Sequence, residues 1–198
     1  MDHADHMDGA IALVVAAIRD ADPARFDDPT PCGDWTVRAL VDHVASGLRL
    51  AHDAGTRTER EWSDGPSPVL AGLPEAEWAG ACAEVGAAAA AAWADPAAWE
   101  GDSFMASTPM PAAMIGGLMT AEFVAHAWDV AVSTGQRLDV PPALAEAALA
   151  ATLGVAEMGR EGGWYGPRVA VGPDAGPLER ALGESGRDPG WSAPSVTS

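Results

Sequence analysis

Residues 114–133 read MIGGLMTAEFVAHAWDVAVS. At helical period, Ile115, Leu118, Met119, Glu122, His126, Asp129 and Val130 fall on one face. Glu122, His126 and Asp129 are polar or ionisable, set in an otherwise apolar stripe. A buried charge is tolerated mainly when it is paired, hydrogen-bonded or bound to a metal. Glu122 and His126 are four residues apart, one turn above the other, so a carboxylate and an imidazole can reach one cation together. The same residues also read as an ordinary hydrogen-bonded core pair or a solvated strip, and the segment alone leaves these readings open.

Upstream, an amphipathic helix is predicted over 7–21, stopped by Pro23. A turn-rich stretch over 22–34 leads into a second helix over 36–57, with Asp34 or Thr36 as its cap. Its apolar face is Val37, Leu40, Val41, Val44, Leu48 and Ala51. His43 sits on a flank of that face. His52, nine residues on, is turned about 180° away, so one metal cannot easily take both. The helical wheel does not choose between them. Gly47, one turn after His43, would leave room beside the imidazole.

A loop is expected over 63–73, an alanine-rich third helix over 74–94 and a second long loop over 101–111. Gly135 ends the central helix, and Pro141-Pro142 opens a last one over 143–158. Past Gly159, glycine and proline punctuate a tail. Within it 168–171 reads as a short strand or extended segment, 178–182 as a helical turn or two, Trp191 as a residue that docks back on the body, and the last residues as frayed. Amphipathic helices without a convincing strand pattern argue for an all-α helix bundle, whose core commonly houses metal sites. The expected division is a metal-binding bundle over 1–160 and an extended tail over 161–198 packed on it.

With 198 residues, 48% of them hydrophobic, the chain can bury a core and is not disordered as a whole. Its 11 basic residues, all Arg, face 29 acidic ones, for a net charge of −18. That disfavours nucleic acid and anionic membrane surfaces as partners. The run 85–93 is too short to span a bilayer and no signal peptide opens the chain, so a cytoplasmic location is expected, with Cys32 and Cys82 as reduced thiols.

The stretch 30–44, TPCGDWTVRALVDHV, resembles the opening motif of a well-populated actinobacterial family. This is the DinB-like superfamily, in the branch of the mycothiol-dependent maleylpyruvate isomerase N-terminal domain, and the chain resembles its short metal-binding members more than the isomerase itself. The EFVAHAWD of 122–129 matches the second motif, and the GRDPGW of 186–191 resembles the usual tail ending. The resemblance implies a four-helix bundle with an irregular C-terminal tail. It also implies a metal held by His43, Glu122 and His126, which settles the choice the wheel leaves open. His52 then becomes a structural or pocket-rim residue, and His3 and His6 are incidental. The implied ion is divalent, zinc ahead of nickel or iron.

Two His and one Glu leave a fourth position open, as in catalytic zinc sites. The resemblance implies that the metal activates a thiol, mycothiol as cosubstrate, or a water for attack on a small electrophilic substrate. The alternative is a non-catalytic metal- or ligand-binding bundle. Asp129 reads equally as a partner orienting His126 or a neighbouring group and as a helix-surface carboxylate, and Cys32 reads as a buried structural cysteine rather than one made reactive near a helix N-terminus. About 40 residues follow the last bundle helix, too few for the separate C-terminal domain of the isomerase, so maleylpyruvate is not the expected substrate. The open position is expected to face apolar residues of the second and central helices and the 101–111 loop. A monomer or homodimer is expected.

Overall fold

In a computed structural model of the chain, residues 2–61 and 67–193 are described; the start of the expected 63–73 loop and the final residues expected to fray lie outside them. Among these described residues six α-helices carry the fold: α1 (His3–Arg19), α2 (Val37–Gly55), α3 (Glu75–Trp93), α4 (Ala112–Thr134), α5 (Pro142–Glu161) and α6 (Pro177–Glu184). The first four close a ring, α1 packing on α3 and α4, and α2 on α3 and α4. The protein is all-α, a four-helix bundle with α5 laid on α4 and α6 on α5.

Local chemistry explains the helix ends. Asp2 and Asp5 form a reciprocal capping box, so α1 begins four residues before the apolar pattern does. Thr36 caps α2, its hydroxyl accepting from the Ala39 amide. Gly135, at φ 73°, closes α4 in the left-handed conformation.

The helix α4 has α1, α2 and α5 around it. It is therefore buried on more than the predicted stripe: Phe123, Val124 and Ala127 are as enclosed as Ile115 and Val130. Each large apolar side chain removed from water here contributes roughly 1.5–3 kcal/mol. The predicted face of α2 is buried throughout. At Gly47 a Cβ would meet the Phe123 ring at an ordinary contact of 3.6 Å.

The expected 101–111 loop is instead a hairpin of β1 (Asp102–Met105) and β2 (Thr108–Pro111), paired antiparallel with Ser103 opposite Met110. Two four-residue strands, one holding Pro109 and Pro111, carry almost no strand signal, since proline cannot donate to a ladder and reads as loop. The hairpin is anchored at the C-terminal end of α2. Ser103 Oγ donates to the Ala54 carbonyl at 2.6 Å, and the Arg57 guanidinium donates to the carbonyls of Ala97, Glu100 and Asp102. No strand occurs at 168–171, where the Val169 amide donates to the Gly183 carbonyl. No described helix is long and apolar enough to cross a membrane.

Candidate metal centre

The second turn of α2 and the middle of α4 bring His43, Glu122 and His126 together. His43 Nε2 lies 3.0 Å from Glu122 Oε1, and His126 Nε2 lies 2.9 Å from the same oxygen. The two imidazoles meet edge to face, 5.0 Å between centroids. On the far side of His126, Nδ1 is 2.9 Å from Asp129 Oδ2. Exposure is graded across the cluster: the side chains of His43 and Glu122 are 27% and 25% exposed, those of His126 and Asp129 4% and 0%. The cluster thus opens to solvent on its His43–Glu122 side.

Both ring nitrogens of His126 face a carboxylate oxygen. A neutral imidazole has one donor and one acceptor nitrogen, so one contact would set a lone pair against a carboxylate. The arrangement is satisfied by a doubly protonated ring or by a cation at Nε2. Burial alone would lower the His126 pKa, but the Glu122 charge and the Asp129 hydrogen bond outweigh it and push the pKa up to about 9. For Glu122, burial pulls upward and loses to His126 and His43, which hold the carboxyl well below its usual range.

The donors suit a divalent ion. One atom from each of His43, Glu122 and His126 lies within 4.8 Å of the others. Tetrahedral ligands at zinc distances stand about 3.3 Å apart, so the present 2.9–3.0 Å contacts need to open by only a few tenths of an ångström. A second group, Cys32, His126 and Asp129, is also compact. It meets His126 on the Nδ1 side, where the Arg187 guanidinium already sits 3.0 Å from Asp129 Oδ2 and 3.9 Å from Cys32 Sγ. A cation is in place there, so this group is not read as a metal site.

The other predicted residues lie elsewhere. His52 Nδ1 contacts Asp53, which also receives Arg49 and Arg60. His3 stacks on Trp99, and His6 Nε2 is buried without a partner. The hairpin at 102–111 does not line the cluster. It sits at the end of α2 beyond Ala54, more than ten residues and thus about 15 Å along the helix from His43. The neighbours of the centre are the 30–36 loop and the tail. The loop is tied by the Thr30 hydroxyl donating to the Trp35 carbonyl and by a bridge from Pro29 to Thr36, which sets the Trp35 ring 4.7 Å from that of His43.

Sequence reasoning gave Arg187 no role. The available signal was charge: one histidine between two carboxylates on a buried stripe leaves a negative charge to be matched, and the tail motif contains an arginine.

Fold and cluster together define an α-helical bundle with a His–Glu–His centre near one end of its core. The chain belongs to the mycothiol maleylpyruvate isomerase N-terminal domain family, whose model matches residues 6–131. An uncharacterized protein of Mycobacterium tuberculosis strain H37Rv is 36% identical over 145 residues, covering 72% of this chain and 71% of its own; the corresponding protein of strain CDC 1551 / Oshkosh matches equally. Among solved structures, the mycothiol-dependent maleylpyruvate isomerase shares the fold at a TM-score of 0.56 and 20% identity, over 80% of this chain and 70% of that one.

Proposed function

We propose that this protein is a divalent-metal-dependent enzyme that uses a low-molecular-weight thiol, mycothiol in the first instance, against a small electrophilic substrate. His43, Glu122 and His126 would hold the ion, zinc ahead of nickel or iron. When bound, the ion supplies positive charge that lowers the pKa of a thiol or water at its open position. The observation that carries the reading is the single oxygen, Glu122 Oε1, placed against both Nε2 atoms with a second carboxylate behind His126.

The protein's own groups have distinct tasks. Asp129 accepts from His126 Nδ1–H and so leaves Nε2 for the ion. Asp129 and Arg187 cancel in charge. A divalent ion with Glu122 as its anionic ligand therefore leaves one net positive charge at the opening, an anion-attracting spot in a chain of net charge −18. Trp35, 38% exposed, stands beside His43 at that opening and offers an aromatic wall to the substrate. The thiol is supported by kinship to the solved isomerase. Isomerisation of maleylpyruvate itself is not proposed, because 30% of that chain has no counterpart in the match.

Elemental analysis of purified protein, followed by titration of mycothiol into metal-loaded and metal-free forms, tests the reading. One divalent ion per chain, and thiol binding only in its presence, is expected. Metal without thiol binding would favour a water-using enzyme or a non-catalytic metal bundle, and turnover of an electrophile separates those two. No metal would overturn the proposal.

A further inference from the structure

We propose that Arg187, from the tail, is a positioning residue of the metal centre, acting through Asp129 to fix the His126 imidazole. This rests on the metal reading above. Arg187 Nε reaches Asp129 Oδ1 and Oδ2 at 3.3 and 3.2 Å, and Nη2 reaches Oδ2 at 3.0 Å. The guanidinium thus grips both carboxylate oxygens, and a fork of this kind sets the plane of a carboxylate as well as its charge. With that plane fixed, Oδ2 remains aimed at His126 Nδ1, 2.9 Å away. Among the described residues the fully buried Asp129 carboxylate is held by His126 and by Arg187, whose Nη2 also lies 3.5 Å from His126 Nδ1, and a carboxylate without that clamp can turn about its own side-chain bond. Partners that orient a ligating histidine typically change metal affinity 10–100-fold when removed.

The tail is built to deliver this side chain. The Arg187 amide donates to the Leu182 carbonyl at 2.8 Å, and α6 packs on α5. Gly186 adopts φ +89°, and a Cβ there would stand 2.6 Å from Gly166 Cα. Two glycines in backbone contact let the tail approach closely enough for Arg187, itself 7% exposed, to pass between Cys32 and Asp129. A tail that only covered the bundle would not need a buried arginine aimed at an α4 carboxylate.

Cobalt(II) titration tests this, read by the visible absorption of the bound ion and by competition with a chelator. Wild type, Arg187→Gln, Arg187→Lys and Gly186→Ala are compared, with the thermal melt of each metal-free protein recorded alongside. Arg187→Gln is expected to bind 10–100-fold more weakly with an altered cobalt spectrum, and Arg187→Lys, which keeps the charge but loses the fork, to recover only part of the affinity. Gly186→Ala, which keeps every ligand and the Arg187 side chain but pushes the tail off Gly166, is expected to weaken binding in the same direction. Should Arg187→Gln fail to fold, Arg187→Lys and Gly186→Ala carry the comparison. Unchanged affinity and spectrum in the folded variants would overturn the inference while leaving the metal centre intact. No cobalt binding by wild type would overturn both.

Discussion

At the scale of single residues, the centre is governed by who supplies positive charge between Glu122 and Asp129. In metal-free protein the His126 proton does so. Its folded pKa, pushed up to about 9, exceeds the ordinary 6.5. A raised folded pKa stabilises fully below about pH 6.5, and the stabilisation is lost as pH rises through about 9. Chelator-treated protein should therefore lose on the order of a few kcal/mol between pH 6 and 9.5, one pKa unit being about 1.4 kcal/mol. Zinc-loaded protein should not show that loss, and denaturant midpoints at the two pH values check both. Ligand removal is a second residue-scale prediction. His43→Ala and Glu122→Ala should each weaken zinc binding by more than about 100-fold, beyond the effect of losing an orienting partner, while His52→Ala should leave it unchanged. Competitive zinc titration decides, and an empty site in His52→Ala with a full one in His43→Ala would reverse the assignment. A third concerns the thiols. Burial pushes Cys82 up to about 12; at Cys32 burial likewise outweighs the Arg187 charge and gives about 11. Neither should react quickly with a thiol reagent at pH 7.5 in folded protein, and both should in denaturant. That His43, Glu122 and His126 meet follows from the family resemblance carried by two local motifs, whereas the helical wheel of α2 does not choose between His43 and His52. Arg187 was not, because its partner Asp129 lies 58 residues away and no spacing rule links them.

At the scale of elements, α4 holds the site because it is enclosed on most sides and cannot shift without disturbing its neighbours. Gly116 shows how tight the enclosure is: a Cβ there would run into the Trp99 ring, which cannot flex away as a long aliphatic chain could. Gly116→Ala should destabilise by roughly 1–3 kcal/mol through overpacking, despite the better helix propensity of alanine, and thermal unfolding measures it. A neutral or stabilising result would show that Trp99 has room to move. Helix positions were readable from apolar period and caps, because Thr36 and Gly135 satisfy end groups in ways the sequence displays. The hairpin at 102–111 was not, because its stability comes from Arg57 and Ser103 contacts with another element rather than from its own strands. The same contacts place it at the His52 end of α2, which removes it from the expected pocket.

At the scale of the whole molecule, charge and topology act together. A net charge of −18 opposes phosphate, so no salt-sensitive shift of a generic duplex is expected at low micromolar protein. Composition alone carried that expectation. That the tail packs through α6 and sends Arg187 to the centre was beyond composition, since glycines at 166 and 186 read as loop until their backbones are seen in contact. The most direct test of a three-ligand centre with an open position is zinc-edge X-ray absorption of loaded protein, before and after addition of mycothiol. Before addition, the first shell should hold only nitrogen and oxygen at about 2.0–2.2 Å, with imidazole scattering from two histidines; a sulfur at about 2.3 Å should appear only with the thiol. A sulfur shell in protein without added thiol would make Cys32 a ligand and close the site, and would contradict the open His43–Glu122–His126 centre.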